Sequence, residues 1–244
     1  MMPFPGPAPS SIEPELAAVY RLYAALARRM DPESGLGGKL LFAGPLDPAG
    51  CRLVRAANIA GAATVAVSAD PATQRQAIRE GVVDFLVTSL DEALRILKNE
   101  IRKRQPVAVG VALAPETILL QMEERGVLPD LLPPASTPAS DPPEFARFLA
   151  AGARRVEAES MPPGQTFFNV SVPHGLSLAE FDALLAEELA PEDQLNQRWL
   201  RLSPRYMGPG ARRIRSLECS QETASKLADR VTAALRNAAQ RKAN

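Results

Sequence analysis

Few residues in this chain have side chains suited to acid–base or nucleophilic chemistry. The single histidine, His174 in SVPHGLS, follows a predicted strand and precedes a predicted helix. A lone histidine can act as a general base, but no nucleophile or carboxylate accompanies it, which favours a structural or surface role. Ser171 and Ser177 lie in no nucleophile-elbow pattern. The sequence therefore predicts no catalytic residue.

The cysteines and the histidine are also too few for a metal site. The sequence has two cysteines, Cys51 and Cys219, and these form neither a disulfide framework nor a metal-ligand pattern. A zinc site needs three or four ligands from His, Cys and carboxylates. We therefore expect no metal.

Arginines are concentrated near the C-terminal end, around Trp199 and Tyr206. Arginine interleaved with aromatic residues can bind phosphates and stacked bases, and Arg212 and Arg213 are the candidate phosphate-binding pair. The alternative is that RWLRLSP is a strand on which Trp199 packs into a core while the arginines stay solvated. This alternative is favoured over nucleic-acid binding. The arginines concerned are Arg198, Arg201, Arg205, Arg212, Arg213 and Arg215.

Composition describes an ordinary globular protein. Of 244 residues, 46% are apolar and 23% are charged, with 28 basic and 28 acidic side chains, so net charge favours neither nucleic acid nor membrane. No apolar run approaches the ~18 residues of a membrane span. The N-terminal stretch has neither the basic end nor the apolar core of a signal peptide. We expect a cytoplasmic protein whose residues 1–11 form a disordered leader.

Charge is distributed unevenly along the chain. Residues 198–244 carry 11 basic and 3 acidic side chains, whereas the preceding residues carry 17 basic and 25 acidic ones. An acidic body with a basic C-terminal part can dock on itself or on a second copy. The pattern therefore predicts a homo-oligomer, such as a homodimer, and a polyanion site is the alternative.

Residues 37–134 alternate short apolar runs with helical patterns. Asp47-Pro48 and Asp70-Pro71 each predict a capped helix start, and Ser89 with Glu92 forms a capping box. This alternation is typical of βαβ units. It predicts an α/β fold: a Rossmann-like parallel sheet with helices on both faces. The predicted strands are 39–43, 63–68, 82–87, 107–113 and 130–132.

A proline-rich stretch divides the chain. Residues 133–143, PPASTPASDPP, predict a linker between a domain at 12–132 and an α+β module at 144–244. In the module, RRVEAES and TFFNVSV are predicted as strands flanking a turn. RWLRLSP and ARRIRSLE are predicted as a second hairpin, and residues 220–240 as a terminal helix.

Five segments of the core stretch carry a family resemblance. They are GGKLLFAG, AANIAGAATVAV with its Asp70, TSLDEAL, PVAVGVAL and EERGVLPDLL. In this order and spacing, across about two-fifths of the chain, they resemble the central nucleotide-binding domain of urocanases, the urocanate hydratases of histidine degradation. The resemblance implies a Rossmann-like fold, a tightly held NAD and a lyase activity.

The resemblance also implies cofactor-binding residues. Urocanases have a glycine-packed turn at the NAD pyrophosphate, of which AGPLDPAGCR keeps Gly44 and Gly50. Asp70 occupies the position of an acidic residue that accepts hydrogen bonds from the adenosine ribose. The other interpretation, which we favour, is that Asp70 only caps the helix that follows it.

Other positions depart from the family pattern. Pro45 and Pro48 remove N–H donors from the turn, and Asp47 adds negative charge where phosphate would lie. The family's Gly-Asn pair is replaced by Ala112-Leu113, and its catalytic cysteine has no counterpart. We therefore expect a stand-alone urocanase-like domain protein without urocanate hydratase activity and with no cofactor, acting as a ligand-binding or assembly protein. The alternatives are an NAD-binding lyase using Gly44, Gly50 and Asp70, and a phosphate or nucleic-acid binder using the C-terminal arginines.

Overall fold

The computed structural model forms two compact units. The sheet unit is Arg21–Ser160, and the hairpin unit combines Met1–Tyr20 with Met161–Asn244. The structure describes residues 12–28, 30–31, 34–135, 141–157, 161–173 and 175–243. Helix α1 (Ile12–Ala27) contributes residues to both units. The predicted leader and His174 lie outside the described residues.

The sheet unit is a parallel α/β sheet. Its strands lie in the order β3-β4-β2-β1-β5-β6, and each neighbouring pair is parallel. The predicted Rossmann-like fold is thereby confirmed. The elements are β1 (Leu40–Pro45), α2 (Pro48–Ala60), β2 (Ala63–Val67), α3 (Pro71–Arg79), β3 (Phe85–Val87), α4 (Leu90–Lys103), β4 (Val107–Val111), α5 (Pro115–Glu124), β5 (Leu131–Leu132), α6 (Pro143–Ala150) and β6 (Arg154–Arg155).

The two faces of the sheet are packed differently. Helices α4, α5 and α6 place leucine, isoleucine, methionine and phenylalanine side chains against Phe42, Val65, Val109 and their neighbours. Side chains alternate along a strand, so the intervening residues face the opposite side, where α2 packs against β1, β2 and β4. Several of those residues are small, including Ala66 and Gly110, which allows α2 to approach the sheet closely.

The predicted helix starts are confirmed. The Asp47 carboxylate accepts a hydrogen bond from the backbone N–H of Gly50 and caps α2. The Asp70 carboxylate caps α3, and the Ser89 hydroxyl caps α4. Each cap satisfies an N–H group that has no partner inside the helix.

In its described residues, the hairpin unit contains an antiparallel pair of strands and three helices besides the first residues of α1. Strand β7 pairs with β8, from Gln165↔Ser220 to Ser171↔Ile214. The predicted strand TFFNVSV and the terminal helix are confirmed. The elements are β7 (Gln165–Ser171), α7 (Leu178–Glu187), α8 (Gln194–Tyr206), the 3-10 turn η1 (Pro209–Ala211), β8 (Ile214–Ser220) and α9 (Gln221–Ala243).

The prediction that RWLRLSP forms a strand is wrong, because this segment lies within α8. Asn196, Trp199, Leu200 and Ser203 are buried, and their spacing of three and four residues forms a helical stripe. The Asp193 carboxylate accepts from the backbone N–H of Asn196 and fixes the helix start. Strand β8 consequently pairs with β7 instead of with this segment.

The unit boundary differs from the predicted linker. Helix α6 completes the apolar layer on one face of the sheet, since Phe145 and Phe148 belong to its core. Strand β6 extends the sheet, because Leu131 and Leu132 of β5 pair with Arg154 and Arg155. The chain segment after the proline-rich stretch therefore belongs to the sheet unit up to Ser160.

Charge is balanced within each unit. The sheet unit contains 17 basic and 17 acidic residues, and the hairpin unit contains 11 of each. In the hairpin unit, basic residues of the C-terminal part pair with acids of the preceding segment: Arg215 with Asp182, and Arg230 with Glu187 and Glu188. The charge asymmetry along the sequence thus lies largely inside one folded unit.

Candidate functional site

The carboxyl edge of the sheet holds three of the predicted site residues. Parallel α/β sheets bind ligands outside the carboxyl ends of their strands. Gly44 lies at the end of β1, Gly50 in the first turn of α2, and Asp70 directly before α3. Because β1 and β2 are neighbours, the structure brings these three residues to the same edge. Arg212 and Arg213 belong to the hairpin unit.

Gly44 is required by backbone conformation. Its φ is +81°, a left-handed value that residues with a Cβ rarely adopt. The pairing of β1 with β2 shifts register between Phe42 and Gly44, so the glycine lies at a bulge. A Cβ on Gly44 would have no heavy atom within 4 Å. The conformation, and not lack of space, accounts for this glycine.

A glycine is required at position 50 because backbone lies where a Cβ would be. A Cβ on this residue would lie 1.8 Å from the carbonyl oxygen of Pro45, well inside van der Waals contact. The absence of a side chain therefore lets the start of α2 lie directly against the end of β1. One glycine of a dinucleotide-binding turn has this helix–strand packing role, so Gly50 keeps a scaffold function independently of any ligand.

The N-terminus of α2 presents few donors to a phosphate. Pro45 and Pro48 have no backbone N–H. The N–H of Gly50 donates to Asp47 Oδ1 at 2.8 Å, and the N–H of Cys51 donates to the Asp47 carbonyl oxygen at 2.8 Å. A carboxylate of the chain itself thus occupies the place that a bound phosphate oxygen would take at a helix N-terminus.

Asp70 acts as a helix cap. Its carboxylate accepts from the N–H of Ala72 at 3.2 Å, from the N–H of Thr73 at 2.8 Å and from the Thr73 hydroxyl at 2.6 Å. The hydroxyl bond of Thr73, followed by the two backbone bonds and the charge of Arg75, lowers the pKa of Asp70 below its ordinary value. A ribose hydroxyl would have to compete with these three donors.

Acidic residues are concentrated at the helix starts along the carboxyl edge. Four successive helices carry an acidic residue at the cap or in the first turn: Asp47 at α2, Asp70 at α3, Asp91 and Glu92 at α4, and Glu116 at α5. Hydrogen bonds from the backbone and hydroxyl of Thr88 lower the pKa of Glu92, which keeps it ionised. Asp91 is paired with Arg125. The remaining acids stabilise their helices, and their negative charge disfavours a polyphosphate.

A small pocket of about 60 Å³ lies beside β5 and β6. The Arg155 guanidinium at its wall pairs with the Asp141 carboxylate, donates to the Pro133 carbonyl oxygen at 3.2 Å and lies 5.3 Å from the Phe145 ring centroid. Sequence reasoning missed this arrangement, because RRVEAES was assigned to the other domain. The pocket is lined by residues that include Leu26, Leu36, Leu131, Arg155, Val156 and Glu157.

The arginines of the hairpin unit have separate roles. Arg213 donates to the carbonyl oxygens of Val172 at 3.2 Å and Pro173 at 3.1 Å. Arg215 is buried and pairs with Asp182. The Arg212 side chain is exposed, while its carbonyl oxygen accepts from Arg215 Nη1 at 2.9 Å. Of the predicted phosphate-binding pair, Arg213 is thus already engaged with backbone.

The neighbouring aromatic residues belong to the core. Trp199 is 0% exposed and donates from Nε1 to the Ser216 carbonyl oxygen at 2.6 Å. Its ring meets that of Tyr20 edge-on at 5.0 Å. Tyr206 is buried as well. These rings are therefore not available as stacking platforms for bases.

The two cysteines lie in different units. Burial, together with the negative charges of Asp193 and Glu218, raises the pKa of the Cys219 thiol to about 11. Cys51 is half-buried in the first turn of α2. Within the described ranges, no group of three His, Cys, Asp or Glu side chains is arranged to hold a metal ion. Over those same ranges, no helix has the length and apolarity that crossing a membrane requires.

The family model for the urocanase Rossmann-like domain matches residues 17–156, more than half of the chain. The chain belongs to the urocanase family. The matched range runs from within α1 to the residue after β6, so it continues beyond the proline-rich stretch and takes in the sixth strand. Most of the hairpin unit lies outside the match. The resemblance of the core segments to urocanases is confirmed for this domain.

The residues at the urocanase-like turn do not fit the pyrophosphate of NAD. The N–H of Gly50 is bonded to Asp47, and two further positions are prolines. The acidic cap residues add electrostatic repulsion at the same edge.

Proposed function

We propose that this member of the urocanase family has no urocanate hydratase activity and works as a ligand-binding or assembly protein. The observation that carries the proposal is the hydrogen bond from the Gly50 N–H to the Asp47 carboxylate. Phosphate binding at a helix N-terminus depends on free N–H groups and on the positive end of the helix dipole. Here the Asp47 carboxylate accepts from the Gly50 N–H at the positive end of the α2 dipole, and this contact stabilises the helix.

The acidic carboxyl edge supports the same proposal. A dinucleotide at this edge would lie near Asp47 and Asp70, both of which are already engaged in helix capping. The alternative, an NAD-binding lyase in histidine degradation, is supported by the common location of Gly44, Gly50 and Asp70. A phosphate binder at exposed Arg212 is a further alternative. The homo-oligomer based on the acidic body and basic C-terminal part stays a prediction, as does a cytoplasmic location.

The test is a titration of the full chain with NAD and NADH, followed by calorimetry and by thermal unfolding. A ligand at a hundred times its Kd would stabilise the folded protein by about 2.7 kcal/mol, which is a shift of several degrees in Tm. We expect no heat of binding and no shift in Tm. Pyrophosphate in a parallel titration reports on phosphate binding alone.

Matched variants distinguish the alternatives. Stabilisation by NAD that is lost in Asp70→Ala, but kept in Arg212→Ala, would contradict the argument that the turn excludes a dinucleotide, and it would support the lyase. Stabilisation by pyrophosphate that is lost in Arg212→Ala, but kept in Asp70→Ala, would support the phosphate binder. Each variant is compared with its own unliganded Tm, because removing the Asp70 cap changes stability by itself.

A further inference from the structure

One stretch of the hairpin unit has an excess of positive charge. Between Asp193 and Glu218 the sequence contains six arginines and neither aspartate nor glutamate. Three of these arginines, Arg201, Arg205 and Arg212, are exposed. Within the residues that the structure describes, none of the three has a carboxylate at salt-bridge distance, whereas other basic residues of the same unit do. We call these three residues the arginine surface.

The packing of α8 along β8 brings these arginines together. The side chains of Asn196 and Trp199 donate to two carbonyl oxygens of β8, at 3.0 and 2.6 Å. The donor that is later in α8 meets the acceptor that is earlier in β8, so the helix runs antiparallel to the strand. The last turn of α8, which contains Arg205, therefore lies beside the start of β8, which Arg212 precedes by two residues. Arg201 lies four residues before Arg205, on the same face of the helix.

The stability of the hairpin unit does not account for this arrangement. Like charges four residues apart on a helix, such as those of Arg201 and Arg205, destabilise it. The helix dipole favours cations only in the last turn, so it offsets this cost at Arg205 alone. The Arg205 guanidinium lies 5.2 Å from the centroid of the Tyr206 ring, a cation–π contact that orients the side chain while its N–H groups stay available. An external anion would relieve the repulsion.

We propose that the arginine surface binds an acidic segment of a partner protein. A guanidinium donates two parallel hydrogen bonds to a carboxylate, and Arg215 in the same unit bonds both oxygens of Asp182 in this way. Arg201 and Arg205 are separated by about 6 Å along α8. Carboxylates at every fourth position of a helix, or at every second position of a strand, have about the same spacing. This inference names a partner for the assembly role proposed above, and it rests on that role.

Other anionic partners fit this surface less well. Both units contain equal numbers of acidic and basic residues, so a second copy of the chain offers no excess of negative charge. A helix that binds a lipid surface exposes its apolar face, whereas Trp199 and Leu200 of α8 are buried. Single-stranded nucleic acid stacks its bases on exposed rings, and Tyr206 is buried as well. Three guanidiniums neutralise few phosphates of a duplex.

The experiment measures fluorescence anisotropy while the full chain is titrated into a labelled oligoglutamate peptide, with oligoglutamine of the same length as the uncharged probe. The variant carries Arg201→Gln and Arg205→Gln together. Its matched control carries Arg75→Gln and Arg79→Gln, since these exposed arginines of α3 have the same spacing and their loss changes the net charge equally. Thermal unfolding establishes that each protein is folded. Arg212→Gln, which alters no helix, is a second variant.

We expect the wild type and the control to bind oligoglutamate, to release it as salt is raised, and not to bind oligoglutamine. Replacing Arg201 and Arg205 should weaken binding about fivefold, through the loss of two exposed ion pairs, and Arg212→Gln should weaken it as well. No binding by the wild type, or an equal loss in the control, overturns the proposal. Tighter binding to an oligonucleotide or to phosphatidylserine vesicles than to oligoglutamate also overturns it. NAD is absent from these titrations, so they succeed or fail independently of the test of the proposed function.

Discussion

Glycines 44 and 50 illustrate how differently two residues of one type are determined at the residue scale. Gly44 supplies a positive φ at a bulge, and the position where a Cβ would lie is open. Gly50 has no Cβ, and a Cβ at this residue would lie only 1.8 Å from the Pro45 carbonyl oxygen. Both requirements come from the scaffold. Two glycines that resemble a phosphate-binding turn can thus be retained without the phosphate.

Alanine at each position separates the two causes. We expect Gly50→Ala to lower the free energy of unfolding by about 3 kcal/mol, because backbone must move to relieve the overlap. Gly44→Ala should cost only about 1 kcal/mol, the strain of a left-handed alanine. Urea unfolding of both variants measures the difference. Equal losses, or a larger loss in Gly44→Ala, would contradict the assignment.

At the scale of elements, an ion pair joins α7 to β8 in the hairpin unit. The Arg215 side chain is 1% exposed, and it bonds the Asp182 carboxylate and the carbonyl oxygens of Arg212 and Ile214. A buried guanidinium is tolerated only when its donors are satisfied. These bonds fix where α7 lies against the strand.

Removing the charge of either partner should weaken this unit. We expect Asp182→Asn to destabilise it by about 3 kcal/mol, since Arg215 is left buried without its counter-ion. Fluorescence of Trp199, the single tryptophan and a core residue of the same unit, follows its unfolding. Arg212→Met serves as control, since that side chain is exposed and its loss should leave the transition unchanged. Equal midpoints in both variants would show that the pair does not contribute.

At the scale of the whole molecule, each unit has its own core and contains one cysteine. Cys51 belongs to the sheet unit and Cys219 to the hairpin unit. The two thiols therefore report separately on the integrity of the two units. Cys219 is 6% exposed, with a thiol pKa of about 11, which makes it a poor nucleophile in the folded state.

Thiol labelling at pH 8 should distinguish the two cysteines. Only about one Cys219 thiol in a thousand is ionised at that pH, and the thiolate is the reactive form. We expect Cys219 to react at least about tenfold more slowly than Cys51, and to become reactive when denaturant unfolds its unit. Cys51→Ser and Cys219→Ser each leave one thiol, so the rates are measured singly. Similar rates in the folded variants would contradict this expectation.

Local signals predicted most of the sheet unit. Asp47, Asp70 and Ser89 cap the helices where the sequence indicates, because a cap side chain and the N–H that donates to it lie only two or three residues apart. The segment RWLRLSP was misassigned because its apolar residues satisfy both an alternating and a helical pattern. Asn196 and Ser203, buried although polar, complete the helical stripe, and hydrophobicity alone does not reveal them.

The sequence by itself determined the order of strands and helices from β1 to β5, the helix caps and membership of the urocanase family, since these depend on short-range patterns. Tertiary structure alone decided that β6 joins the sheet, that Gly50 lies against the Pro45 carbonyl oxygen, and that β3 lies at the edge of the sheet. It also placed Arg215 and Arg230 beside acids from an earlier segment. The physical reason is that such contacts join residues far apart in the chain, and only the packing of complete elements brings them together.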